Sequence, residues 1–302
     1  MKRTALWLCL VLPALAASLP KAGVSIATEG EQRVIKSNGI PDHKPGDFPR
    51  RGNPNAIRAQ AYEFHLPLKP QAADKPTPSG HAFFGVALNG VPFEPGTAEF
   101  WNFDSSSGWK YEALSGTIDL GLDDHMAHVQ PNGAYHYHGL PTGLIEKRRS
   151  PTNDTMVLVG YAADGFPIYT EQAHSNAKDA TSPLKKMRSS YQVREGKRDG
   201  GPGGKFDGTF TEDYEYKAGS GDLDECNGRF GVTPEFPEGT YYYCITTEFP
   251  QLSRQWKGTA DPSFQKRGGP PDGPRGGQRR GGPGMRRPPG RPEDAFLPRT
   301  PF

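Results

Sequence analysis

Short segments in which apolar and polar residues alternate, separated by Gly and Pro, dominate the middle of the chain. One strand is predicted at YEFHLPL (62–68), and a hairpin at AFFGVALNGVPF (82–93), with its Asn-Gly turn at 89–90. Further strands are predicted at GTIDLGL (116–122), AYHYHG (134–139), MVLVGYAAD (156–164), DYEYKA (213–218) and TYYYCITT (240–247). Helical periodicity is weak, with short candidates at 109–114 and 171–177. The pattern predicts a mainly β fold, a single compact sheet or sandwich-like domain with long Gly/Pro-rich loops and few short helices.

Composition divides the chain into regions of different character. The 302 residues include 38 Gly and 31 Pro but only 34% hydrophobic residues, so part of the chain cannot be packed core. The segment 18–59 is polar and interrupted by Pro, and we expect it to be extended. Residues 60–260 are expected to form the β domain. Residues 266–302 are so rich in Gly, Pro and Arg that a disordered tail is predicted.

The first 17 residues, MKRTALWLCLVLPALAA, have the order of a secretory signal peptide: a basic start, an apolar run and small residues. The apolar run is shorter than the ~20 residues of a membrane-spanning helix, and no second run of that length follows. We therefore expect cleavage after Ala16 or Ala17 and a soluble protein that is secreted or periplasmic.

Cysteine usage depends on that export. Removal of the signal peptide takes Cys9 with it and leaves Cys226 and Cys244 as an even pair. In an oxidising compartment such a pair favours a disulfide bond. Two buried free thiols are the alternative, and metal ligation is disfavoured because the spacing has no CxxC element.

Charge is distributed unevenly along the chain. The whole chain carries +2, of which residues 1–17 contribute +2 and residues 266–302 contribute +6, so the middle carries −6. An acidic domain does not suggest specific nucleic-acid recognition. The Arg-rich tail can contact acidic polymers through a salt-sensitive attraction, and a solvated tail without a dedicated partner is the alternative.

Half of the eight histidines fall within fourteen consecutive residues, namely His125, His128, His136 and His138. If 134–139 is a strand, His136 and His138 project from one face, and Tyr135 and Tyr137 from the other. A turn at 131–133 can then bring the two upstream histidines back onto the face of His136 and His138.

These four histidines are candidate ligands of a transition-metal ion. An all-imidazole set without a thiolate favours zinc or copper. His136 and His138 are the strongest candidates, followed by His128 and then His125. A His-x-His pair that is only hydrogen-bonded or solvent-facing is the alternative.

Three functions are compatible with these features. A closed four-ligand site would favour metal storage, sensing or buffering. An open three-ligand site would favour a metal-dependent enzyme in which Asp164 or Glu225 is the base. An exposed aromatic platform formed by residues such as Trp101, Trp109 and Trp256 would favour an envelope or glycan-binding module with structural histidines.

Four motifs resemble those of the YHYH-domain family of exported proteins, in the order of that family. They are NGVPF (89–93), YHYH (135–138), GYAADGFPIY (160–169) and LDECNGRFG (223–231). The resemblance spans about 80–258 and implies an exported protein with this β domain, but it implies no reaction. One departure is that the aromatic strand at 241–244, YYYC, lacks the histidines carried by the family members it resembles, so we do not expect ligands from it.

Overall fold

A computed structural model describes residues 19–266 of the chain. The predicted signal peptide and the tail beyond Lys266 lie outside the described residues. The strands within 19–266 are β1 Val24–Glu29, β2 Gln32–Ser37, β3 Tyr62–Pro67, β4 Thr77–Pro78, β5 Gly85–Ala87, β6 Pro92–Phe93, β7 Ala127–Val129, β8 Tyr135–Tyr137, β9 Leu158–Ala162, β10 Pro167–Tyr169, β11 Gln172–His174, β12 Leu184–Lys186, β13 Tyr191–Val193, β14 Tyr214–Tyr216, β15 Gly228–Thr233, β16 Phe236–Cys244 and β17 Gln255–Trp256. The same residues contain one α-helix, α1 Thr142–Arg148, and four short 3₁₀ turns. The predicted mainly β fold is confirmed.

Eight strands form the main sheet, in the order β15-β16-β10-β9-β5-β6-β8-β7. Neighbouring strands are antiparallel except for the parallel pairs β10–β16 and β6–β8. The central strands β5, β6, β9 and β10 are buried throughout, as expected for strands covered on both faces. Strands β7 and β15 lie at opposite edges, so residues carried by the two ends of the sheet are far apart.

A second sheet has the order β1-β2-β3. The alternation of apolar and polar residues does not predict its first two strands. The region 18–59 supplies both β1 and β2, where an extended chain is expected. Strand β2 buries the adjacent residues Val34 and Ile35 and pairs along its length with β3. Two neighbouring apolar residues do not alternate, which is why the period-2 pattern misses this strand.

Most of the other predicted strands are present. Strands β3, β8, β9, β14 and β16 and the β5–β6 hairpin overlap the predicted segments. The segment 116–122 contains no strand, because Gly116 and Gly121 have φ of 75° and 61°, which an extended backbone does not allow. Neither predicted helix is found, since 109–114 is irregular and 171–177 contains β11, whereas α1 has no counterpart among the predicted elements.

Two glycines allow the close approach of β5 and β9 in the centre of the main sheet. A Cβ atom at Gly160 would lie 2.4 Å from the carbonyl oxygen of Val86, and one at Gly85 would lie 2.4 Å from that of Tyr161. Both contacts are with backbone atoms, which cannot rotate away as a side chain can. The pairing of β5 with β9 therefore depends on the absence of a side chain at these positions.

Replacement of Gly160 by Ala should destabilise the fold, because the new methyl group overlaps the backbone of β5. We expect the free energy of unfolding to fall by about 1–3 kcal/mol. Gly96→Ala is the control, since a Cβ there meets nothing within 4 Å, and it should change stability by less than about 0.5 kcal/mol. Denaturant unfolding of both variants is the measurement, and equal stabilities would contradict the packing described for β5 and β9.

Cys226 and Cys244 are both free and buried, so the disulfide expected from the sequence is absent in this structure. Alternation along β16 places Cys244 on the face opposite to Tyr241, whereas the Cys226 thiol contacts the hydroxyl of Tyr241. The two side chains therefore point to different faces of the sheet, although their backbones are adjacent. A disulfide requires the two Cβ atoms to approach within ~4.5 Å and to face each other.

Burial raises the pKa of each cysteine thiol to about 12, so both are neutral and poorly nucleophilic at neutral pH. Native protein should show no reactive thiol toward a colorimetric thiol reagent. After denaturation without reductant, both thiols should titrate. Absence of free thiols in the denatured, non-reduced protein would contradict this assignment and restore the disulfide.

Candidate metal centre

The β7–β8 hairpin brings three histidines together. In its antiparallel register His128 lies directly opposite His136, so the two side chains share a face, and His138 follows on the same face. The turn at 130–134 closes with a 2.8 Å hydrogen bond from the Gly133 amide to the carbonyl of Gln130, and Gly133 has φ of 89°. The turn predicted at 131–133 is thus confirmed.

The three imidazoles form a nearly equilateral triangle. Their ring centroids are 4.7 to 4.8 Å apart, and one candidate ligand nitrogen from each lies within 4.8 Å of the other two. The Nε2 atoms of His136 and His138 are 3.0 Å apart. Two nitrogens at this separation, each ~2.05 Å from a common ion, would subtend an angle of about 95° at the ion. The spacing is therefore within the range of ligands that share one metal.

Hydrogen bonds to backbone carbonyls orient two of the rings. The Nδ1 atom of His128 donates to the carbonyl of Leu120 at 2.8 Å, and that of His136 donates to Ala134 at 3.2 Å. A carbonyl can only accept, so both rings carry their proton on Nδ1 and present Nε2 as an acceptor, which in His136 lies 3.0 Å from Nε2 of His138. The buried Nδ1 of His138 has no hydrogen-bond partner within residues 19–266.

Burial keeps the cluster uncharged. His136 and His138 are 1% and 3% exposed, and desolvation holds the pKa of both well below the usual value. Repulsion from the neighbouring rings lowers both further, and burial also lowers the pKa of His128. All three imidazoles are therefore neutral at pH 7, which is the form that binds a metal ion.

A carboxylate that the sequence analysis does not identify lies beside the cluster. The Glu94 amide donates to the carbonyl of Tyr137 and extends the parallel β6–β8 pairing, so the Glu94 side chain is on the face of the histidines. Its Oε2 atom lies 3.7 Å from Nε2 of His136 and accepts a 2.7 Å hydrogen bond from Gln130. Its Oε1 atom pairs with Lys266.

The histidines and Glu94 line a cavity of about 410 Å³. Burial raises the pKa of the Glu94 carboxyl, and the ammonium group of Lys266 partly opposes that effect. Glu94 directly follows the NGVPF motif, and this adjacency is the sequence signal that could have identified it.

His125, the fourth candidate ligand, is not part of the cluster. Met126 has φ of 54°, which turns the chain before β7, and the His125 ring packs on His43 at 4.1 Å between centroids. Its Nε2 donates to the carbonyl of Lys44 at 2.9 Å, and its Nδ1 accepts the amide of Gly143 at 3.1 Å. Both ring nitrogens are engaged elsewhere, so the expectation of a fourth histidine ligand is corrected.

The two tyrosines of β8 project from the opposite face, as alternation predicts. Tyr135 donates to the carboxylate of Asp123 at 2.7 Å. The Tyr137 hydroxyl is hydrogen-bonded to Nε2 of His43 at 2.6 Å and to the amide of Asn89 at 3.0 Å. These bonds fix β8 from the side away from the histidines.

Neither of the two carboxylates proposed from the sequence as a base lies at the cluster. Asp164, in the turn between β9 and β10, accepts hydrogen bonds from Tyr243 at 2.5 Å and from the Gly258 amide at 2.8 Å. Glu225 precedes β15, at the opposite edge of the sheet. Asp164 and Glu225 adjoin strands that are at least three positions away from β8 in the order of the sheet. Neighbouring strands of a sheet are about 4.8 Å apart.

The platform of exposed tryptophans that the alternative binding function would need is not formed by the described residues. Trp256 is 3% exposed and donates from Nε1 to the carbonyl of Phe84 at 2.8 Å. Trp109 packs against Phe210 with 5.6 Å between ring centroids, and Trp101 is half-buried. These rings contribute to packing and do not form one exposed binding face.

Fold and site together define a mainly β protein with a largely buried three-histidine cluster at one edge of its main sheet. Residues 63–258 match the family model described as "YHYH protein", and the chain belongs to this family. The matched region contains the β7–β8 hairpin, Glu94 and the later aromatic strand β16. No curated protein and no solved structure matches the chain. Within residues 19–266, no helix is long and apolar enough to cross a membrane.

Proposed function

We propose that this protein binds one transition-metal ion, zinc or copper, through the Nε2 atoms of His128, His136 and His138. The observation that carries the proposal is the convergence of three neutral imidazoles, two buried and one half-buried, whose ligand atoms lie within 4.8 Å of one another. The cluster brings ring nitrogens as close as 3.0 Å to one another in a largely buried setting, and a shared ion supplies a partner for all three rings at once.

The chemistry of the ligands limits the choice of metal. Imidazole nitrogens bind zinc and copper well, and the cluster contains no thiolate that would select softer ions. Copper(II) should bind more tightly than zinc at the same nitrogen set, as the general order of divalent metal affinities requires. The two hydrogen bonds from Nδ1 atoms to carbonyls, at 2.8 and 3.2 Å, are of the kind that orients metal-binding histidines.

Calorimetric titration of metal-stripped protein with Zn²⁺ and with Cu²⁺ tests this site. Wild-type protein should bind one ion per chain, and the double variant His136→Ala/His138→Ala should show no comparable binding. His65→Ala is the control, because His65 lies on β3 in the second sheet and its Nδ1 pairs with Gln32. Equal binding by wild type and double variant, or no binding by wild type, would contradict the proposal.

Loss of binding could also follow from unfolding of the double variant, so a second readout is needed. A ligand that binds only the folded state raises the thermal midpoint as its concentration increases. Zinc should therefore raise the midpoint of wild type and of His65→Ala. The double variant should still unfold cooperatively, with a midpoint that does not respond to zinc.

A metal-dependent enzyme is the second candidate function, and the cavity favours it. The cluster supplies three ligands, and the cavity of about 410 Å³ lies in the size range of small-molecule sites. Three protein ligands with an open position are typical of catalytic zinc, whereas structural zinc sites are closed.

We further propose that the protein is exported to a secreted or periplasmic location, supported by the basic, apolar and small-residue order of residues 1–17. N-terminal sequencing of protein recovered outside the cytoplasm should begin at Ala17 or Ser18. Exported material that begins at Met1 would argue against cleavage. Contact between the Arg-rich tail and acidic polymers stays a prediction.

A further inference from the structure

The three histidines leave one side of the cluster open. His128 and His136 form a cross-strand pair, and His138 follows on the same face, so all three ligands come from one hairpin. A hairpin can approach an ion from one side only. The opposite side faces the cavity, where a water molecule can complete the coordination of a four-coordinate ion.

Glu94 faces this open side without belonging to the ligand triangle. The group in which all candidate ligand atoms lie within 4.8 Å of one another contains the three histidines and not Glu94. Glu94 nevertheless places Oε2 3.7 Å from Nε2 of His136. The carboxylate thus lies beside one corner of the histidine triangle, near enough to accept a hydrogen bond from a water on the ion.

Two neighbours hold the Glu94 carboxylate in this orientation. Gln130 donates to Oε2 at 2.7 Å, and Lys266 pairs with Oε1. A carboxylate offers about four lone-pair sites, so one site on Oε2 remains for a water molecule. The side chain is 12% exposed, which keeps competing solvent away.

We propose that the site activates a metal-bound water for hydrolysis of a small substrate that enters the cavity, with Glu94 as the general base and an acyl ester as the test substrate. This inference rests on the metal binding proposed above. It also explains a buried carboxylate with two orienting partners beside three neutral imidazoles.

The reaction balances without an oxidant or reductant. Glu94 Oε2 takes a proton from the bound water, and the hydroxide forms a bond to the ester carbonyl carbon. The bond from that carbon to the alcohol oxygen then breaks, and the proton on Glu94 passes to the leaving oxygen. One water is consumed, and a carboxylic acid and an alcohol are released.

Hydrolysis of 4-nitrophenyl acetate by the zinc-loaded full chain tests the inference. Glu94→Gln keeps the size of the side chain and its place beside Gln130 but cannot take the proton. We expect kcat to fall by about 10²- to 10⁴-fold. Zinc affinity and the thermal midpoint should stay close to those of wild type. Glu238→Gln is the matched control, because Glu238 is an exposed carboxylate on β16, outside the cavity that the histidines line.

A second measurement tests the open position without an ester. Addition of azide to the Co²⁺-loaded protein should change the visible absorption of cobalt in wild type and in Glu238→Gln, because azide replaces the bound water. An unchanged spectrum would mean a closed coordination sphere and would overturn the inference.

The outcomes separate this inference from the proposed function. Zinc binding without hydrolysis above the metal-stripped rate overturns the inference and leaves metal binding intact. Hydrolysis at the wild-type rate by Glu94→Gln would show that Glu94 is not the general base. Loss of zinc binding in Glu94→Gln makes Glu94 a ligand and not a base. Absence of zinc binding by wild type removes both proposals.

Discussion

The alternation of side chains along β8 is the constraint on which the site depends. Three consecutive residues of this strand are fully buried. The polar groups on each of its faces must therefore find hydrogen-bond partners within the protein. Tyr135 and Tyr137 are anchored by Asp123, His43 and Asn89 on one face. With the strand fixed in this way, His136 has one direction in which to project. The orientation of His136 therefore depends on the hydrogen-bond network on the other face of the strand.

Desolvation gives the cluster its chemical character. Imidazoles in water would be partly protonated near neutral pH, and three of them side by side would repel one another. Burial keeps these rings neutral, and carbonyl acceptors on two Nδ1 atoms direct the free lone pairs inward. The same burial leaves Nδ1 of His138 unpaired within the described residues. Such an arrangement is expensive as pure packing, and it becomes favourable when an ion binds to the nitrogens.

Sheet order decides which acidic groups can take part in the chemistry. The parallel β6–β8 pairing places Glu94 beside His136, although 42 positions separate them in the sequence. Asp164 and Glu225 belong to motifs that resemble those of the same family, yet the strand order places them several strands away. Asp164 instead receives the Tyr243 hydroxyl and the Gly258 amide, which ties the β9–β10 turn to the segment after β17. Its role within the described residues is structural.

Features that depend on local spacing could be predicted from the sequence by itself. The mainly β fold, the Asn-Gly hairpin at 89–90, the turn at 131–133 and the opposite faces of Tyr137 and His136 all follow from period-2 alternation and turn chemistry, which act over a few residues. The tertiary structure alone decided that His125 turns away, that Glu94 joins the site, and that Cys226 and Cys244 point to different faces of one sheet. These outcomes depend on positive φ at Met126, on parallel strand pairing and on sheet order. Contacts between residues distant in sequence are set by how the strands associate, and no local pattern encodes that association.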